Sequence, residues 1–531
     1  MIFDHPSPAL PKGEREIHAF FRVRMLSPFL FFLLGLLFAN SKIFAQIGDG
    51  LYPQLVYNVL PPIKSGFLYE VPHSSLQNFP NDTMGGHVLN FHFGIKKHDV
   101  AIEIDPILQL NGGIDNVTKS KAFDLFGGVR AEVRTKKIVF NVSAAKGFTK
   151  LSGYQNEYTL EHEVIPGMGY ARAYKNGYFY NYLATNFWYK PSKYFYLQLG
   201  YDKNFIGDGY RSLLLSDNAS NYPFLKLVTS VWKLKYVNIY AEFNDIRNAN
   251  GNSALFQKKF GAFHYLDWEV NKRLTVGLFE TIIWQAANTK GLSGFNFNYL
   301  NPIIFYRPVE FSIGSPDNAL MGTNVKLRLW KNTFLYSQII LDEFYLEHIR
   351  ARDGWWANKQ GLQLGFKVYD LFRIKNLYVQ MEANYVRPFT YSHYNTLQNY
   401  GHYNQPLAHP LGSNFIESVN FIKYKYKKVY FEYECMVAMK GENIDTLNYG
   451  ADLYESYVTF TNEFGNYVGQ GLRTFIFYNS LKCSYVFNKT NQMGFFVQVI
   501  DRRKYSSIIN EDTMLFMAGI QICPIKRYAD Y

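Results

Sequence analysis

Along Leu377–Tyr385 apolar and polar side chains alternate: Leu377, Val379, Met381 and Ala383 on one side, Tyr378, Gln380, Glu382 and Asn384 on the other. Leu362, Leu364, Phe366 and Val368 interleave with Gln363, Gly365 and Lys367 in the same way, and Val325, Leu327 and Leu329 with Asn324, Lys326 and Arg328. Val429–Met439 and the stretch around Ile102 and Ile104 repeat it. A period of two is the mark of a strand with one greasy and one wet face. The connections carry a second rhythm. Short ones fall near Lys96-Lys97, Thr135-Lys136, Pro191-Ser192, Asn271-Lys272, Lys331-Asn332, Arg373–Lys375, Lys427-Lys428 and Asn488–Asn491. Between them lie long polar or Gly/Pro-rich stretches at about 203–223, 245–256, 287–321, 345–358, 387–413, 441–471 and 502–512. Tight turns at one end and long loops at the other are what a barrel spanning an outer membrane presents, whereas a soluble all-β domain has no reason to alternate loop length. The expected class is therefore all-β, a transmembrane antiparallel β-barrel. The alternation picks out nineteen segments; single-chain bacterial barrels carry an even number, so about eighteen strands are expected.

Charges on these strands fall on the lumen side, which matters because a charge on the lipid side near the bilayer midplane costs about 2–4 kcal/mol. Phe, Trp and Tyr make up 18% of the chain, and Trp188, Tyr189, Tyr194, Phe195 and Tyr196 cluster at a turn as an interfacial girdle would. Beyond the N-terminus no apolar run is long enough for a membrane helix. At the N-terminus, Arg22 and Arg24 precede the apolar run Leu26–Ala39, and Ile43-Phe44-Ala45-Gln46 follows. That order reads as a secretory signal cut after Ala45, with Met1 and Met25 both open as starts. The chain thus divides into an N-terminal extension and signal (1–45), a periplasmic or plugging segment (46–87) with Pro61-Pro62 and no clear alternation, and the barrel (88–531).

The formal charge of +12 fits lipopolysaccharide phosphates or acidic polysaccharide better than nucleic acid in an exported protein. Cys435, Cys483 and Cys523 have no metal-ligand spacing; they read as small wall residues, with a Cys435–Cys483 bridge left open. There is no P-loop, HExxH, GxSxG or CxxC pair, so neither enzyme activity nor a cofactor is expected. His393, His402 and His409 share one loop with Ser392 and Ser413, but loop serines and histidines at arbitrary spacing are ordinarily just solvated. Acid pairs such as Asp342-Glu343 or Glu432 with Glu434 read as pore-lining charges, and Lys423–Lys428 as an interfacial anchor.

Three loops are richer than connections need to be. In Gly207–Ala219 the run Leu213–Leu215 must be buried, so the loop is expected to fold into the lumen, where Arg211 and Asp217 would need partners. The others are Asn301–Phe311 with Gly314–Leu320, and Ala408–Phe415. Asp208, Arg211, Asp217, Asn218, Arg307, Glu310, Asp317, Asn318 and His409 combine planar donors and acceptors with neighbouring aromatic rings, a set suited to binding polysaccharide. The competing reading is that they lock the loops onto the barrel.

The blocks GDGYRSLLLSDNASNYPFLK, NPIIFYRPVEFSIGSPDNALMGTN and AHPLGSNF resemble the capsule-assembly Wzi family as it occurs in Bacteroidetes-type bacteria, a group that includes the gliding-motility protein RemB. The resemblance runs from about residue 60 onward. It implies a barrel of about eighteen strands with a partly helical N-terminal element. It also implies a lectin-like role in fastening capsular or other surface polysaccharide, with a link to gliding or adhesion and to motility or export machinery. The alternative expectation is a transport pore, suggested by Lys326, Arg328, Lys367 and Glu382 on the lumen face.

Overall fold

The computed structural model describes residues 93–97, 99–288, 291–292, 297–301, 317–488 and 491–531. The expected signal and the segment 46–87 lie outside them. Eighteen antiparallel strands close into a ring. In chain order they are β1 Val100–Asp115, β2 Lys121–Arg134, β3 Ile138–Lys150, β4 Gly177–Tyr189, β5 Phe195–Asp202 and β6 Tyr222–Val231. Next come β7 Leu234–Asp245, β8 Gln257–Glu269, β9 Leu274–Gln285, β10 Asn318–Trp330, β11 Thr333–Glu343 and β12 Lys359–Tyr369. The ring finishes with β13 Leu377–Val386, β14 Phe415–Tyr426, β15 Val429–Glu442, β16 Leu472–Asn488, β17 Met493–Tyr505 and β18 Asn510–Ile522. Each pairs with its sequence neighbour. Closure comes from β1 against β18, with Leu108–Asp115 opposite Leu515–Ile522, which leaves no open sheet edge in the ring. The stretch just before Lys96 accounts for the odd extra segment in the sequence pattern. Phe93–Lys97 is a strand, but it pairs only with the first residues of β1 and stays outside the ring.

The period-two pattern maps onto two faces. Leu362 and Leu364 of β12 are 48% and 53% exposed on the outer wall, while Gln363 and Lys367 are buried inside. Glu382 and Asn384 of β13 and Asn324 of β10 likewise point inward and are buried. An outer wall of exposed Leu, Ile, Val and Phe around a polar interior is the inverse of a soluble fold and suits a lipid surround. Among the aromatic girdle residues, Tyr189 and Tyr194 face out, but Trp188 and Tyr196 are buried inside. Lys423 and Lys425 also point inward, Lys423 pairing with Glu432 at 2.6 Å, so they anchor inside the barrel instead of at its rim.

Two connections depart from the expected rhythm. Trp232-Lys233 is a tight turn, with Trp232 at φ 56°, although it holds none of the residues that announce a turn. The link 151–176 is long and carries the helix α1, Tyr154–His162. Its apolar residues read like wall residues because several are buried, Tyr154, Val164 and Ile165 among them. All three cysteines are free thiols. In the β15–β16 ladder Cys435 sits opposite Asn479 and Cys483 opposite Phe431, so the register keeps the two apart. Cys523 lies one residue past β18 and is buried.

Candidate functional site

The segment 203–221 between β5 and β6 folds into the barrel, and Leu213, Leu214 and Leu215 are completely buried. Burying that backbone requires partners for its polar groups, and the inward residues of β10–β13 supply them. The Tyr210 and Arg211 amides donate to the Glu382 carboxylate at 2.7 and 3.0 Å. Gln338 accepts from the Leu213 amide at 2.8 Å, and Gln363 donates to the Arg211 carbonyl at 3.1 Å. Asn324 and Lys326 grip the Asp208 carboxylate at 2.8 and 2.9 Å, and Lys367 donates to the Asp208 carbonyl. Gly209 permits this approach, because a Cβ there would sit 2.5 Å from Glu382 Oε2. The lumen charges that suggested a pore, Lys326, Lys367 and Glu382, are therefore a clasp on the loop.

The segment 387–414 between β13 and β14 closes over the first. Tyr391 and Tyr400 donate to the carbonyls of Leu213 and Leu214 at 2.8 and 2.6 Å. Ser216 donates to the Ala408 carbonyl and Asn218 to that of Pro406. A third piece is the segment Cys523–Tyr531, which leaves β18 beside the tight turn before β17 (Cys523 N–H to Asn491 O, 2.7 Å) and runs inward to the other two. Asp530 and Glu417 of β14 both bind the Arg211 guanidinium, at 2.8 and 3.0 Å, with all three side chains buried. The guanidinium lies 4.9 and 5.2 Å from the ring centroids of Tyr210 and Tyr528, which meet each other edge to face at 5.4 Å, so two rings offer it cation–π contact from the same corner. Tyr528 and Lys526 bind the Asp217 carboxylate, and Arg527 meets Asp124 and Tyr180. Helix α1 caps the cluster: Tyr154 donates to the Ala529 carbonyl, and the Tyr158 ring lies 4.3 Å from that of Tyr531.

His409 completes the network through its own tautomer. Its Nδ1 accepts the Leu411 amide at 3.2 Å, so the proton is on Nε2, which donates to Glu417 at 2.7 Å. Burial holds its pKa below the ordinary imidazole value against the pull of Glu417. Burial also pushes Lys203 down to about 8, with Asp217 and Asp202 opposing.

Of the nine residues singled out from the sequence, Asp208, Arg211, Asp217, Asn218 and His409 thus converge in this plug, each buried and engaged by other parts of the chain. Asp317 and Asn318 lie apart at the start of β10: Tyr299 and Gln398 donate to Asp317, and Asn318 donates to the Gln398 carbonyl. Arg307 and Glu310 fall outside the described residues.

A second cluster, at the long-loop end, was not apparent from the sequence. The connection 344–358, with the short helix α2 (Leu346–Ala351), is knitted to 443–471. Trp356 donates its amide to the Glu463 carbonyl at 2.9 Å, and Gly465 and Asn466 donate to Asp353 and Gly354, both at 2.8 Å. On this frame His348 lies 4.6 Å from the Trp355 ring and 5.7 Å from that of Phe464, with Tyr345 6.1 Å from Trp355. Tyr345 and Phe464 are 54% and 47% exposed. Asp353 hydrogen-bonds His348 and the Trp355 amide, and the His348 bond holds its carboxyl below the usual range. Adjacent tryptophans in a Gly/Asp-containing loop, Asp353–Trp356, were the available signal.

No family model matches the chain, and no curated protein matches it. Among solved structures it is similar to Wzi of Escherichia coli, an outer-membrane protein involved in group 1 capsule assembly and a carbohydrate-binding β-barrel. That likeness has 12% identity over 80% of this chain and 85% of Wzi, with a TM-score of 0.49. It is also similar to OprD and OpdO of Pseudomonas aeruginosa. Each is 10% identical, over 79% and 80% of this chain and 95% and 96% of theirs, with TM-scores of 0.39 and 0.44. At these identities no residue's role carries across.

Proposed function

We propose that the protein is an outer-membrane barrel, exported by a signal cut after Ala45, that holds surface or capsular polysaccharide at its outer rim. The observation that carries this reading is the aromatic cluster of exposed Tyr345 and Phe464 around half-buried His348 and Trp355, tied down by the backbone bonds between the two loops, with Asp353, Arg350 and Arg352 in the same connection. Flat rings take the apolar faces of sugars, while the carboxylate and guanidinium groups around them take hydroxyls and acidic substituents. The interior residues Arg211, Asp208, Asp217 and His409 support the rim from below by fixing the plug. Retention of polysaccharide would serve a capsule, adhesion or gliding alike, and motility or export machinery would meet the barrel at its short-turn end.

The test is binding of polysaccharide from the producing cells to the detergent-folded barrel. Trp355→Ala with Phe464→Ala is expected to weaken binding at least tenfold while the protein keeps its heat-modifiable gel mobility. Unchanged binding by that variant sinks the rim site, and steady conductance of the wild type in planar bilayers would favour a pore.

A further inference from the structure

The outer wall carries a groove that the rim and the plug do not use. It has a volume of about 610 Å³ and is lined by Gly112, Leu481, Cys483, Val497, Phe516 and Ala518 among others. The ladder registers explain its shape. Cys483, Val497, Ala518 and Gly112 stand opposite one another across β16, β17, β18 and β1, forming one row of small outward side chains. The row on one side is Leu481, Val499, Phe516 and Ile114; on the other it is Tyr485, Phe495, Ile520 and Leu110. The groove runs along the row that thins to Ala518 and Gly112, beside the bulkier Leu481, Phe516 and Ile114, and crosses four strands, roughly 15 Å at the usual strand spacing.

One end of the trough meets positive charge. Gly112 is followed across the ladder by Phe123 and then Lys150, and Ile114 by Lys121. In barrel terms this is the end nearest the long loops: Lys121 opens β2 and Lys150 closes β3, both next to long-loop-side connections. Lys119 and Lys146 lie close by, Lys119 bonded to Asn116 and Lys146 over the Phe179 ring. Among the described residues no ion pair engages any of these four lysines, while the outward acids nearby are taken, Asp501 by Arg503 and Asp512 by Tyr505. The connections 116–120 and 506–509 are the shortest at this end of the barrel, so Lys119 and Lys121 stand beside short loops, while the long link 151–176 begins just after Lys150. An apolar trough in the lipid-facing wall, rising to uncompensated cations at headgroup height, complements a chain with an anionic head.

We propose that this groove binds an acyl chain of a phosphorylated glycolipid of the outer leaflet, with its phosphate held by Lys121 and Lys150. The proposal rests on the barrel lying in an outer membrane and not on the rim site, and membrane fractionation tests that placement separately.

The experiment is native mass spectrometry of the detergent-folded full chain with bis-phosphorylated lipid A, its phosphate-free counterpart, or phosphatidylethanolamine. The wild type is expected to retain one lipid A at least tenfold better than either of the others. Gly112→Leu with Ala518→Leu fills the trough, and a Cβ at Gly112 meets nothing within 4 Å; it is expected to lose that retention. Lys121→Gln with Lys150→Gln leaves the wall intact, and is expected to reduce lipid A to the level of the phosphate-free form. Equal retention of the phosphate-free lipid by the wild type, or undiminished lipid A in the filled variant or in the lysine variant, overturns the proposal.

Discussion

Arg211 is fully buried with two carboxylates and two tyrosine rings around it. Its guanidinium reaches both carboxylate oxygens of Asp530, one oxygen of Glu417 and the Asp530 carbonyl, a geometry that a planar fork satisfies and a point charge does not. Arg211→Ala leaves Glu417 and Asp530 buried without their cation, a loss of about 3–5 kcal/mol. It should appear as a drop in the temperature at which the barrel loses its compact gel mobility. Arg211→Lys should recover little of it. That Arg211 and Asp217 would be buried charges was legible from the three leucines between them. Their partners were not, because Glu417 and Asp530 lie 206 and 319 residues away in the chain and only the closed ring brings them together.

At the scale of elements, strands were legible and connections less so. A strand writes its two faces into the sequence with a period of two, and β12 and β13 could be assigned residue by residue. A turn is legible only when it uses turn residues, and Trp232-Lys233 does not. Plug segments are uneven: Leu213–Leu215 announced the first, whereas Tyr391 and Tyr400 of the second read as a wall would and differ from it only in what they meet. The segment Cys523–Tyr531 is the clearest case, because nothing local in Pro524–Tyr531 signals that it enters the barrel. Its role is nonetheless testable. Tyr528→Ala with Asp530→Ala takes the Tyr528 hydroxyl from Asp217 and the Asp530 carboxylate from Arg211, without touching a strand. The expected outcome is protease cleavage within 207–219 in a barrel that remains heat-modifiable. If that loop stays protected, the clasp from β10–β13 suffices and the segment is only a passenger.

For the whole molecule, the ring and the plug answer to different forces, and pH separates them. The strand ladders depend on backbone bonds that do not titrate, whereas the plug loops bury imidazoles. Burial pushes His393 and His402 down to about 3 and lowers His409 from its ordinary value. His402 shows why it stays neutral. Its Nδ1 accepts the Asn244 amide at 2.9 Å and its Nε2 faces the Asn221 carbonyl at 3.2 Å, so a second ring proton would cost the Asn244 bond. In a released loop the same histidines titrate near pH 6.5. The released state therefore binds more protons as pH falls, so the packed plug is fully stable above about pH 6.5 and loses stability progressively below it, by up to ~1.4 kcal/mol per pH unit for each histidine. Segment 387–414 should thus become cleavable by an acid-active protease between about pH 6 and pH 4 while the ring keeps its compact mobility. His402→Gln, which keeps an amide N–H for Asn221 but cannot take up a proton there, should shift the onset to lower pH. Protection that stays constant down to pH 4 would mean that the loops never release their histidines, and that the plug is as permanent as the wall.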